Sequence, residues 1–185
     1  YKNFFKYEYH NIFDRNKYIN DLDDDSDDIL LSYFDNRKTR QNFIYKGRFI
    51  EIAAFFGSIS IFKFLWMNKV SFNKEISKFM IAGGNYEIIH LLEDYITYSP
   101  EDLTVAVQFH RNEIFEYIMN NNDFKLNEND MKTAVESNNL EFLVNNISEL
   151  NESHYIKNID NLINLLFISI ENKNAMIFIF LFNQY

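Results

Sequence analysis

Apolar positions along this chain fall into short helical stripes that recur. Five blocks, beginning at Ile50, Ser77, Leu103, Met131 and Leu165, place an apolar residue at their first position (Ser77 excepted) and Ala53, Met80, Ala106, Ala134 or Ile168 three residues on. Superimposing the blocks aligns Gly57, Gly84, His110, Asn138 and Asn172, at intervals of 27, 26, 28 and 34 residues. Beyond each aligned residue comes a second apolar set: Ile61, Phe62 and Leu65; Ile88, Ile89 and Leu92; Ile114, Phe115 and Ile118; Phe142 and Leu143, broken by Asn146; Met176, Ile177 and Phe180. Spacings of one, three and four put each set on one face of a helix, so every block predicts helix, tight turn, helix. A sharp reversal between helices needs a residue at positive φ, which Gly accepts freely and Asn and His accept better than most. All five aligned residues are of those types. Glu87, Glu113 and Glu141 then fall in the first turn of the second helices, where negative charge complements the helix dipole, and Ser58, Asn85 and Asn139 are expected caps.

Residues 53–65 resemble the centre of an ankyrin repeat, with Ala53, Ala54 and Gly57 matching its A-A-x-x-G turn and the following residues its apolar second helix. Residues 83–92 match as well, and residues 136–143 keep the turn and the apolar pair Phe142 and Leu143. The T-P-L-H opening of an ankyrin first helix is absent from all five blocks, and most intervals fall short of the usual 33 residues. The combination is similar to the ankyrin-like domain of unassigned function that precedes ankyrin repeats in protist ankyrin families, over about residues 46–182. Tetratricopeptide, HEAT and leucine-rich units fit the spacing less well, and a single irregular helical bundle is the alternative architecture. The resemblance implies an all-α, ankyrin-like helical-repeat solenoid with shortened inter-repeat loops. It divides the chain into an irregular helical segment with an acidic loop (residues 1–45) and about five helix-turn-helix repeats (residues 46–185), truncated at the C-terminus. It also implies a non-enzymatic protein-interaction module whose first helices and loops form a preformed contact surface. Gln108, Arg111 and Glu136, each flanking a turn and off the apolar stripe, are the candidate partner-binding residues.

Composition narrows the classes. A chain of 185 residues with 47% hydrophobic residues can bury a sizeable core as one domain or one continuous array. The longest apolar run, residues 175–182, is eight residues, against the 18 or more of a membrane span, and no signal peptide is visible. A water-soluble, cytoplasmic protein is expected. Without cysteine there are no disulfides, thiolate chemistry or Cys-type zinc sites. The chain starts at Tyr1 without an initiator Met, so an excised piece of a longer protein is expected. Sequons at Asn146 and Asn151 match the number that an Asn-rich composition produces by chance.

Charge is uneven. Residues 21–28 carry six acids and residues 37–48 five bases, in a chain of net charge -9. A calcium loop starting at Asp21 would need Gly at its sixth position and Glu at its twelfth, where Ser26 and Ser32 stand, so the run reads first as a solvated loop capping a helix that begins near Ile29. An acidic regulatory or calcium-responsive module using Asp21 to Asp28 is the alternative function. The bases from Arg37 to Arg48 are expected to pair within the chain, not to meet nucleic acid. Residues 101–150 hold ten acids and three bases, which favours a basic protein partner.

No phosphate loop, nucleophile elbow or H-E-x-x-H occurs, and His10, His90, His110 and His154 are scattered. No catalytic residue, metal ligand or cofactor is therefore assigned. At the end of the chain Met176, Ile177, Phe178, Ile179, Phe180, Leu181 and Phe182 are apolar around the whole helix. Terminal repeats need a polar outer face. Two or three of these side chains should be exposed, the chain should self-associate through them, and further ankyrin repeats are expected to cover them on the C-terminal side.

Overall fold

The structure, a computed structural model, describes residues 29–30, 46–152 and 159–183. Among these residues there are ten α-helices in five consecutive pairs: α1 (Phe49–Phe55) with α2 (Ile59–Met67), α3 (Ile76–Gly83) with α4 (Tyr86–Leu92), α5 (Pro100–Gln108) with α6 (Asn112–Asn121), α7 (Glu128–Glu136) with α8 (Leu140–Glu152), and α9 (Ile159–Glu171) with α10 (Ala175–Phe182). We call the pairs units 1 to 5. Extended pairing is confined to two residues on each side, β1 (Ile29–Leu30) antiparallel to β2 (Lys46–Gly47). That corrects the helix expected to begin near Ile29. The backbone there finds its hydrogen-bond partners across a ladder just ahead of α1 instead of along a helix.

Three of the five first helices, α1, α5 and α7, start on capping boxes. The Arg48 N–H donates to Glu51 Oε2 (2.7 Å), the Ser99 N–H to Asp102 Oδ2 (2.8 Å) and the Asn127 N–H to Asp130 Oδ2 (3.1 Å). Each acid sits at the third helical position, where it meets unpaired N–H groups and the positive end of the dipole. Pro100 opens α5 at a position that needs no donor.

The turns that end the first helices are left-handed at Gly57 (φ 61°), Gly84 (70°), His110 (56°), Asn138 (63°) and Lys173 (56°). Four expected turn residues stand as placed. The fifth does not: Asn172 continues the last turn of α9, its N–H donating to Ile168 O at 3.0 Å, and Lys173 takes the positive φ. The backbone pattern sets the register. At Gly57, His110, Asn138 and Lys173 the turn N–H bonds three residues back and the next N–H five residues back, as from Asn174 to Ser169 O (2.8 Å). This is a Schellman end, whereas Gly84 closes with a single bond to Met80 O. Four residues before these turns stand Ala53, Met80, Ala106, Ala134 and Ser169, all buried.

Packing runs between neighbours. Each first helix lies on the next, α1 on α3, α3 on α5, α5 on α7 and α7 on α9, and each second helix folds back on its own first helix. Buried aliphatic side chains fill the layer between them, among them Ile50, Ile81, Leu103, Val107, Met131, Val135 and Leu165, each withdrawing apolar area worth about 1.5–3 kcal/mol from water. Small residues let the backbones close in. At Gly83 a Cβ would lie 2.1 Å from Ala54 O, so only glycine permits this approach of α3 to the end of α1. Over that gap the Phe55 ring meets Phe109 edge-on, with centroids 5.7 Å apart. Ser77, the exception in the pattern, is buried beside Ile76, which takes the apolar position one residue earlier. Asn146 donates its amide to Phe142 O (2.8 Å).

Candidate interaction surface

The residue after each turn reaches back to the unit before it. Asn85 donates to Gly57 O (3.0 Å) while its Oδ1 accepts the Glu87 and Ile88 N–H groups. Arg111 sends Nε and Nη2 to Ala82 O (3.1 and 3.0 Å) and Nη2 also to Gly83 O (3.3 Å). Asn139 donates to Val107 O (2.9 Å), exchanges amide hydrogen bonds with Asn112 and caps α8 through the Phe142 N–H (3.1 Å). Asn174 bonds the Asn138 side chain and caps α10 through the Ile177 N–H. Asn85, Arg111 and Asn139 meet carbonyls that the end of a helix leaves without intrahelical partners; Asn85 and Asn139 also cap the helix that follows, so each closes one helix, opens another and ties two units.

Further polar ties run beside these. His110 Nε2 lies 2.9 Å from Ser137 O, which can only accept, so that nitrogen carries the proton. On the outer side of the second helices Lys63 pairs with Glu87, Tyr86 donates to Glu113 (2.8 Å) and Tyr117 donates to Glu93. The bond from Tyr117 holds the Glu93 carboxyl below its ordinary range, helped by His90, and the same bond raises the Tyr117 hydroxyl. Burial chiefly raises Tyr86, and Glu113 adds to it.

Three carboxylates are buried between units. Glu51 uses its second oxygen to accept the Asn73 N–H (2.7 Å), and Asp130 accepts the Thr104 hydroxyl (2.8 Å). Burial pushes Asp130 up to about 6, although the bonds from Thr104 and from the Asn127 N–H oppose the shift. Among the described residues one Asp102 oxygen has no hydrogen-bond partner, nor has the nearby Tyr98 hydroxyl, which burial raises.

Gln108 and Glu136 occupy the same register, two residues before the turn, on the stacked helices α5 and α7. Both are half-buried, and Glu136 lies 3.9 Å from the exposed Lys132. Arg111 is turned inward as the tie described above. Ser58 supplies no side-chain cap, unlike Asn85. His90 is exposed beside Glu93. Asp21 to Asp28, Arg37 to Lys38, Arg40, His10 and His154 lie outside the described residues. Among the described residues no group of three His, Asp or Glu side chains is placed to hold a metal ion, and no helix is long and apolar enough to cross a membrane.

Sequence reasoning passed over the reach-back ties and the capping boxes. The boxes had a signal, an acid three residues after Ser99 and Asn127. The ties had little, because their acceptors are backbone carbonyls one unit away. Residues 67–146 match the family model of a domain of unknown function, DUF3447. The match runs from the last residue of α2 into α8 and takes in units 2 and 3 whole. No curated protein and no solved structure matches the chain.

Proposed function

We propose that the chain is a non-enzymatic protein-interaction module built as a divergent ankyrin-like solenoid, with Gln108 and Glu136 on its contact face and a basic protein as partner. The observation that carries this reading is the neighbour-to-neighbour stacking of first helices, which repeats one register position from unit to unit along a row. Such a row is ordered before any partner arrives, so binding gives up little conformational entropy. The left-handed turns at Gly57, Gly84, His110 and Asn138 and the match to DUF3447 support the ankyrin-like build. Acidic side chains at the surface, Glu87, Glu113, Glu116 and Glu141 among them, support a basic partner.

The test is parallel capture by the immobilised chain and by a Gln108→Arg, Glu136→Arg variant, with the retained proteins identified by mass spectrometry. A basic protein held by the first and lost from the second is expected. An identical retained set from both would refute the assigned face, and retention of acidic proteins alone would refute the partner chemistry.

A further inference from the structure

Contacts between units show which positions look forward, toward the next unit. Three residues before the turn, Ala54, Ile81, Val107 and Val135 are each 0% exposed. Six before it, Glu51 and Thr104 bond forward to Asn73 and Asp130. On α2 Lys63, six after the turn, bonds forward to Glu87, and Glu93, nine after its turn and just past the end of α4, accepts from Tyr117 of the next unit. Counted from Lys173, the same forward positions of unit 5 hold Ile170, Phe167, Ile179 and Phe182. They are 56%, 62%, 55% and 60% exposed. Ile163 and Ile159, one and two turns earlier on α9, lengthen the stripe and are exposed as well. Where earlier units bury an aliphatic side chain or form a polar tie, unit 5 presents an apolar face.

We propose that this face pairs with the same face of a second copy of the chain, α9 against α9 across a two-fold axis. Its six side chains expose roughly 700 Å², more than the patch of a typical monomer and close to the ~800 Å² that each partner brings to a stable interface. A flat apolar stripe is self-complementary, which a two-fold contact requires. Charge selects this end too. Residues 159–183 carry Asp160, Glu171 and Lys173, net -1, so -8 of the chain's -9 lies elsewhere. Two copies meeting through α9 and α10 keep those like charges apart, whereas a meeting through the acidic helices α4, α6 and α8 sets them against each other.

Sedimentation of the 185-residue chain between about 1 and about 200 µM tests this. The apparent mass should rise from 22.3 kDa to twice that value and stop there. Phe167→Glu with Ile170→Glu should hold it at 22.3 kDa with unchanged circular dichroism, since both side chains are exposed and no core is disturbed. Met67→Glu, on the exposed face of α2 at the other end, should leave pairing intact. A monomer throughout overturns the proposal. Open-ended growth, pairing that survives the double substitution, or pairing lost with Met67→Glu overturns it equally.

Discussion

Replacing Gly83 by Ala adds one methyl group to the last turn of α3 and should destabilise the chain, against the ordinary trend. In a helix interior Ala is favoured over Gly by about 1 kcal/mol. Here the new Cβ would stand 2.1 Å from Ala54 O and 2.9 Å from Phe55 O. Carbon and carbonyl oxygen come to rest at about 3.3 Å, so α1 and α3 must part locally by about 1 Å. Neither obstacle is a side chain that can rotate away. A gap of that width forfeits a quarter to a half of the dispersion attraction across it, in a layer holding Ala53, Ala54, Met80 and Ile81. Overpacking of this kind costs about 1–3 kcal/mol, and the upper part of that range applies because backbone must move. Less the propensity gain, the net loss is about 2 kcal/mol. Urea unfolding followed by circular dichroism measures it, with Gly57→Ala as the reference. At Gly57 the nearest atom to a Cβ is 3.4 Å away, so that variant loses only the left-handed penalty of about 1–2 kcal/mol. A Gly83→Ala midpoint above that of the unsubstituted chain would show that the two helices do not meet here through their backbones.

Further expectations concern turns, ties and pH. Lys173→Gly should stabilise by about 0.5–1 kcal/mol by relieving a positive φ, and Asn172→Gly should destabilise by a similar amount; the reverse order in a thermal melt would restore Asn172 as the turn residue. Gly84→Val should lose about 1–2 kcal/mol to the left-handed φ and displace Arg111, whose Nε lies 2.5 Å from the added Cβ, while Asn138→Gly should be close to neutral. Arg111→Ala removes charged donors from two helix-end carbonyls and should cost about 1.5–3 kcal/mol, with Arg111→Lys recovering part of it; an unchanged denaturation midpoint would deny the tie. Asp130 titrates near 6 when folded and near 3.8 when unfolded. The folded chain therefore binds more protons between those values, and unfolding free energy should fall as pH rises from about 4 to about 6, then level off. Subtracting the pH profile of Asp130→Asn isolates this slope, and a difference that is flat or rising over the window would contradict the buried carboxylate.

The helix pairs were legible because two local signals coincide in them. The apolar stripes of Ile50 to Leu65 or Leu103 to Ile118 specify the faces, and a residue tolerant of positive φ marks where one helix stops. Unit 5 shows the limit of this reading. Lys173 is not a residue type that advertises a left-handed turn, and Asn172 beside it is, so the register slipped by one. Ser169, a small residue four before the true turn, was the available corrective. Packing between units was less legible. Gly83 is required by a carbonyl 29 residues earlier, and Arg111 answers carbonyls 28 and 29 residues earlier; neither demand leaves a local trace. The contact face was the least legible part, since exposure at Gln108 or Glu136 depends on the whole stack.

The reach-back of Asn85, Arg111 and Asn139 ends on peptide carbonyls of the preceding unit, and only Asn139 adds a side-chain partner there, Asn112. A carbonyl is present whatever amino acid occupies the position. The junction therefore makes few demands on the identity of its neighbour: a small residue near the helix end, and an amide or guanidinium just past the following turn. Under such a rule a gene segment encoding one unit can be duplicated, deleted or moved, and the new boundary still finds its hydrogen-bond partners. Surface residues on either side are then free to diverge one unit at a time.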